Sequence, residues 1–156
     1  MHSKKLRTLS ALLLALAYFA IKPHPAFAKD YSFPKVSFKV WLQEDGSAKV
    51  EEKRTFDFDG SFSWAEEWIP IKDPATKITN VTIASDEGPY SLNQTNSAQT
   101  YTVLNEGEKI HLKWFYQASN TQKTFTISYT IEKAVGIHQD IAEFYYQFIC
   151  DEWKKC

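Results

Sequence analysis

The sequence has little sulfur, few chain breakers and no excess of positive charge. Of 156 residues only 2 are Cys and 1 is Met, which excludes a small scaffold held together by many disulfides. The 5 Gly and 6 Pro are too few for a collagen-like or linker-dominated chain. Lys and Arg total 18 against 19 Asp and Glu, a net charge of −1. The first 28 residues hold Lys4, Lys5, Arg7 and Lys22 and no acid, so the remainder carries 14 basic against 19 acidic residues, a net of −5. A chain of that sign is not built to grip a nucleic-acid backbone or an anionic membrane face by charge. No apolar run reaches the ~20 residues that cross a bilayer as a helix, and no internal repeat is present. What is abundant is aromatic: 15% of residues, with 5 Trp, 8 Tyr and 11 Phe, which argues against disorder.

The first 28 residues read as an export signal. Lys4, Lys5 and Arg7 make a positive start, residues 9–21 a short apolar run, and Pro23 and Pro25 break it. Ala26-Phe27-Ala28 then gives an A-x-A cleavage signature. The expected organisation is a signal peptide over 1–28 and one extracytoplasmic β domain over 29–156. No Cys stands directly after the cleavage point, which argues against a lipid anchor, and the chain as written is expected to be exported and soluble. Cys150 and Cys156 are the pair that a disulfide could join in an oxidising compartment. Spacing does not fix their Cα separation, so a small buried Cys150 with a free terminal thiol at Cys156 stays equally open.

Residues 29–156 read almost throughout in period two, the signature of half-buried strands. Val36, Phe38, Val40 and Leu42 alternate with Ser37, Lys39 and Trp41, and Glu44-Asp45-Gly46-Ser47 turns the chain. Ala48, Val50, Glu52, Arg54, Phe56 and Phe58 continue as the return strand of a hairpin. Its middle carries charge on both faces, so the core signal is strongest at its ends. A segment over 62–71 puts Trp64, Glu66 and Trp68 on one side and Ala65, Glu67 and Ile69 on the other, with Pro70 limiting the ladder. Val81 and Ile83 face inward on the next strand. Residues 90–99 are polar and are expected to be the least ordered. Thr100 to Leu104 and Lys109 to Tyr116 make a second hairpin, with Ile110, Leu112, Trp114 and Tyr116 on one face. Residues 117–122 read as a polar loop, and Phe125, Ile127, Tyr129 and Ile131 give the cleanest alternation in the chain. Over 137–149 a helical spacing competes with the β-rich run Phe144-Tyr145-Tyr146, and strand or irregular structure is preferred. The predicted fold is all-β: an antiparallel two-layer β-sandwich, immunoglobulin-like or jelly-roll-like, of about 7–8 strands.

Two blocks of residues resemble a known family. The first is Gly46-Ser47-Ala48-Lys49-Val50-Glu51-Glu52, Phe56-Asp57-Phe58-Asp59-Gly60-Ser61-Phe62 and Ile69-Pro70. The second runs through Trp114-Phe115-Tyr116-Gln117-Ala118, the stretch from Thr124 to Ile131, Ala134-Val135, the stretch from Asp140 to Tyr146, and Asp151-Glu152-Trp153. Together, in order, they are similar to the domain of unknown function family 2207, a set of predicted bacterial membrane proteins. The resemblance implies an extracytoplasmic β domain behind a signal peptide, normally followed by more strand sequence, a transmembrane helix and a cytoplasmic tail. This chain departs by stopping at Cys156 and by carrying Cys150 where the family tends to have glycine. The family has no established catalytic residues, so none carries over.

The residues themselves offer no catalytic constellation. Glu66 and Glu67, like Glu51 and Glu52, are chain neighbours, and neighbours on a strand point to opposite faces. Neither pair can flank one glycosidic bond, although acids on separate strands could converge. His111 alternates with Ile110 and Leu112 and reads as outward; His138 with Asp140 reads as a polar loop pair. There is no Gly-x-Ser-x-Gly elbow, no His-paired Cys and no zinc spacing, so no catalytic residue, metal or cofactor is expected. Tryptophan is the stronger signal, because indole faces stack on sugars or anchor protein partners. Trp114 reads as core, and Trp41 lies opposite its strand's apolar face. Trp64, Glu66 and Trp68 are the candidate binding residues, with the indoles ~13 Å apart on an extended segment. The competing account buries the rings between the sheets. The expected partner is an envelope protein or a glycan, not nucleic acid, with membrane contact only through a downstream transmembrane segment absent from this chain. A protein-interaction module ranks first, a glycan-binding module second and a glycoside-type hydrolase last.

Overall fold

The computed structural model describes residues 29–73 and 75–149. The export signal, Trp153 and the Cys150–Cys156 pair lie outside the described residues. Within them the secondary structure is all strand: β1 (Asp30–Leu42), β2 (Ala48–Asp59), β3 (Ser61–Pro70), β4 (Lys77–Ser85), β5 (Gly88–Pro89), β6 (Ser91–Leu92), β7 (Thr100–Asn105), β8 (Lys109–Ser119), β9 (Gln122–Glu132), β10 (Val135–Ile137) and β11 (Ala142–Phe144). One sheet has the order β1-β2-β9-β4-β5, a second β3-β8-β7-β6, and β10-β11 form a small hairpin. The strand count exceeds the seven or eight expected. The surplus comes from β5, β6, β10 and β11, two or three residues each, in turn-like or polar segments where pairing is not announced by apolar alternation.

The two large sheets face each other and share one core. Along β2, Ala48, Val50, Glu52, Arg54, Phe56 and Phe58 are all buried, and along β9 so are Phe125, Ile127, Tyr129 and Ile131. Ile110, Leu112, Trp114, Tyr116 and Ala118 of β8 oppose them from the other layer. Aromatic rings join the layers: Phe56 meets Trp114 edge-on at 6.4 Å between centroids, Phe58 meets Tyr116 at 5.4 Å and Phe125 meets Tyr116 at 4.8 Å. The middle of β2 therefore belongs to the core with its ends, which corrects the expectation that its charges dilute the core face. Glu52 and Arg54 are two residues apart and share that face.

Local irregularities set the layers. The chain crosses between sheets at Gly60, whose φ of +103° a side chain rarely adopts, and a Cβ there would meet Lys29 Cγ at 3.0 Å. The return crossing at Asn120-Thr121 lies beside it: Asn120 Oδ1 accepts from Gly60 N–H at 2.7 Å, and Thr121 C=O accepts from Phe58 N–H at 3.0 Å. The expected polar loop over 117–122 thus shrinks to this corner, because the ladders of β8 and β9 run to its edge. Gly46 turns the first hairpin with φ +77°. On β4 a bulge between Thr79 and Thr82, with Asn80 at φ +52°, lets both Ile78 and Ile83 face the core. Strict alternation forbids that, so the sequence pattern marks Ile83 and passes over Ile78. Residues 90–99, expected to be least ordered, are tied in by Tyr90, which is buried, and by β6 pairing parallel to β7.

Candidate functional site

β3 is an edge strand that presents a different site on each of its faces. The outward residues Trp64, Glu66 and Trp68 lie opposite Phe115, Lys113 and His111 of β8. Lys113 Nζ sits 4.0 Å from the Trp64 ring centroid, and Lys109 Nζ 5.3 Å from that of Trp68. The imidazole of His111 stacks on Trp68 at 4.8 Å with the planes 6° apart. Its Nε2 is 3.1 Å from Glu66 Oε2 and its Nδ1 3.5 Å from Glu106 Oε1. Cation–π contacts at such exposure are worth roughly 0.5–1 kcal/mol each; they also fix the direction of the indoles. Trp64 is 46% exposed and Trp68 half-buried, both on the outer surface of the sheet and not between the sheets. Trp41 is likewise exposed, and Trp114 is fully buried.

The inward residue Glu67 meets the two charged residues of β2. Arg54 Nε donates to Glu52 Oε1 at 2.6 Å, and Arg54 Nη2 lies 2.5 Å from the same oxygen and 3.4 Å from Glu67 Oε1. All three are buried, and the ring of Phe33 lies 5.3 Å from the Arg54 guanidinium carbon. Burial pushes the Glu67 carboxyl well above the ordinary range; the charge of Glu52 adds to this and that of Arg54 opposes it. Burial also works against the charge of Arg54, but the attraction of Glu67 and Glu52 outweighs it and raises Arg54 above its ordinary value. Glu52 Oε2 and Glu67 Oε2 have no hydrogen-bond donor among the described residues. Both acids stand in the apolar phase of their strands. The sequence therefore held the signal for each, but not for their meeting across the two layers. His138, read from the sequence as part of a polar loop pair, is exposed and lies 3.8 Å from Glu143.

β1 and β3 are the edges of their sheets on the same side of the sandwich, and among the described residues the seam between them is filled unevenly. At one end the chain's own residues close it: Phe148 packs on Phe38 at 5.1 Å, and Tyr146 Oη donates to the Pro70 carbonyl at 2.6 Å. At the other end a cavity of about 520 Å³ remains, walled by Tyr31, Phe33, Phe56, Phe62 and Tyr116, with Arg54 at its base and Trp64, Glu66 and Trp68 along the β3 side. Both edge strands bulge here, β1 between Ser32 and Lys35 and β3 between Phe62 and Trp64. Among the described residues no cluster of three metal-ligating side chains occurs.

No curated protein matches this chain. A solved structure with some similarity is the pilus 2b backbone protein of group B streptococcus, at 14% identity and a TM-score of 0.38. The match covers 66% of this chain and 47% of that one, so this chain spans about half of its length, and the likeness is too slight to carry an argument. Among the described residues no helix is long and apolar enough to cross a membrane. The model for the N-terminal domain of the predicted membrane proteins DUF2207 matches residues 32–155, which takes in the sandwich, the seam and the outer face of β3. The chain belongs to the DUF2207 family, whose N-terminal domain it carries.

Proposed function

We propose that this domain is a protein-interaction module acting on the extracytoplasmic side of the cell envelope, with the outer face of β3 as its contact surface. One observation carries the reading: Trp64, Glu66 and Trp68 stand in a row on an exposed edge strand, each held in a fixed direction by Lys113, His111 or Lys109 of β8. Preorganised aromatic anchors beside fixed charge are what protein contacts use most. A sugar-stacking site needs open indole faces, whereas Lys113 already covers one face of Trp64 and His111 one face of Trp68. A hydrolase needs carboxyls aimed at a substrate bond. Glu52 and Glu67 are instead aimed at Arg54, and Glu66 at His111.

Trp64→Ala and Trp68→Ala, measured for stability and for capture of envelope proteins and glycans by the exported chain, test this. Loss of a protein partner with the denaturation midpoint retained supports the reading. Unchanged capture, or a stability loss of several kcal/mol that makes the rings structural, overturns it.

A further inference from the structure

We propose that the outer face of the five-stranded sheet carries a second binding site, centred on Trp41, for an acidic glycan. The site goes beyond the protein contact proposed on β3 and is independent of it, because it lies on the other sheet of the sandwich. The first argument is the indole. Trp41 is 47% exposed, and among the described residues no ring stacks on it and no cation lies over it. It therefore meets the condition for sugar stacking, an open aromatic face, that Trp64 and Trp68 fail because Lys113 and His111 cover them.

The second argument is the ground beside that ring. Strand register sets Trp41 of β1 in one row with Lys49 of β2, Thr130 of β9 and Thr79 of β4, and the next row holds Lys39, Glu51, Ser128 and Thr82. Strands ~4.8 Å apart put the backbone of Thr130 about 10 Å from that of Trp41, room for a short saccharide laid across the strands. Ser128 and Thr130 are short, so a depression of about 470 Å³ lies between Trp41 and the β4 bulge at Asn80, lined also by Lys49 and Glu51. Its volume falls in the ~300–1,000 Å³ range of small-molecule sites. Hydroxyls, an amide and a carboxylate there offer both donors and acceptors, as sugar hydroxyls require. The third argument is charge. On β1 and β2 the outward charges around Trp41 are Lys39, Lys49 and Lys53 against Glu51, which Lys53 already meets at 3.8 Å. Asp45 in the adjoining turn is held by the Ser47 N–H and hydroxyl. Lys39 and Lys49 are exposed and supply the surplus positive charge, which a total of −5 over residues 29–156 hides because it counts charges without placing them. Sugar rings that carry carboxylates complement both the indole and these lysines, whereas a neutral glycan leaves the lysines unused.

The probes are trigalacturonic acid and the same trisaccharide with its carboxyls reduced, each titrated into the exported chain while amide NMR shifts are followed. Expected for the acidic probe is saturable binding with shifts at Trp41, Lys49, Ser128 and Thr130. Binding should weaken at least about tenfold in Trp41→Ala, in Lys49→Glu and with the reduced sugar. It should also weaken as salt is raised from about 0.01 to 0.15 M, where screening shortens to ~8 Å. Lys39→Glu, on the other strand, repeats the charge test should Lys49→Glu not fold. No saturable binding of the acidic probe, shifts on Trp64 and Trp68 instead, equal affinity for the reduced sugar, or full binding by Trp41→Ala would each overturn the proposal. None of these outcomes bears on capture of a protein by β3, so that reading stands or falls by its own test.

Discussion

Arg54→Met is the most informative single change, because it removes one charge from a buried group of three while keeping most of the side-chain stem. Arg54 is 4% exposed, and its guanidinium lies between Glu52 and Glu67, which are 0% and 6% exposed. At an effective dielectric of about 20, unit charges separated by the 2.5 Å between Arg54 Nη2 and Glu52 Oε1 attract by roughly 7 kcal/mol. Desolvation cancels much of that attraction when the group is intact, but removing one partner leaves the acids buried and uncompensated. The expected loss is about 3–5 kcal/mol near pH 7, a large share of the roughly 5–15 kcal/mol that holds a domain folded. Glu67, whose carboxyl is already raised by burial, can relieve part of the defect by taking up a proton, so the loss should shrink as the pH is lowered towards about 5. Replacing all three with apolar residues, as in Glu52→Leu with Arg54→Met and Glu67→Leu, should bring stability back to within about 1 kcal/mol of the parent or above it. Glu67→Gln tests the proton directly. The folded-state value of Glu67 is raised, so the stability it contributes is present below the ordinary carboxyl value and is lost as pH rises through the raised one. The glutamine variant should therefore gain on the parent steadily as pH rises. Urea denaturation at the two pH values reads all of this. An Arg54→Met midpoint equal to the parent's near pH 7, or the same deficit at both pH values, would refute the reasoning.

Three further outcomes are expected. Ile127→Ala should lose roughly 2–5 kcal/mol, since Ile127 is fully buried at the centre of the five-stranded sheet; an unchanged denaturation midpoint contradicts this. Asn80→Gly should be tolerated and Asn80→Val should lose about 1–2 kcal/mol, because only the latter resists the φ of +52° at the β4 bulge; equal stabilities would show that the bulge relaxes. Mass spectrometry of exported protein should find Lys29 at the N-terminus, and an intact Met1 would show that the A-x-A reading is mistaken.

Much of the fold was legible in the residues. The buried faces of β8 and β9 are the sets Ile110 to Tyr116 and Phe125 to Ile131 read directly from alternation, and the turn at Gly46 falls where composition placed it. A strand has only two faces, so period two names the residues of each without further information. The row Trp64, Glu66 and Trp68 was legible on the same ground, as residues sharing one side of β3. Alternation could not say which side that was, and it could not foresee Lys113, His111 and Lys109, which the β3–β8 register brings from more than forty positions away.

What the sequence by itself determined is the class of protein: aromatic alternation broken by turns makes an all-β sandwich, and the phase of each strand selects its apolar face. Only tertiary structure decided what that face holds in the middle. Glu52 and Arg54 on β2 and Glu67 on β3 are local violations of the apolar pattern, each of which argues against burial when read alone. They are buried because two sheets bring opposite charges within contact distance, and a buried charge is tolerable only with such a partner. The same holds for the seam: that β1 and β3 lie on one side of the sandwich follows from strand order. Strand order is set by long-range pairing, of which the alternation along any one strand carries no record.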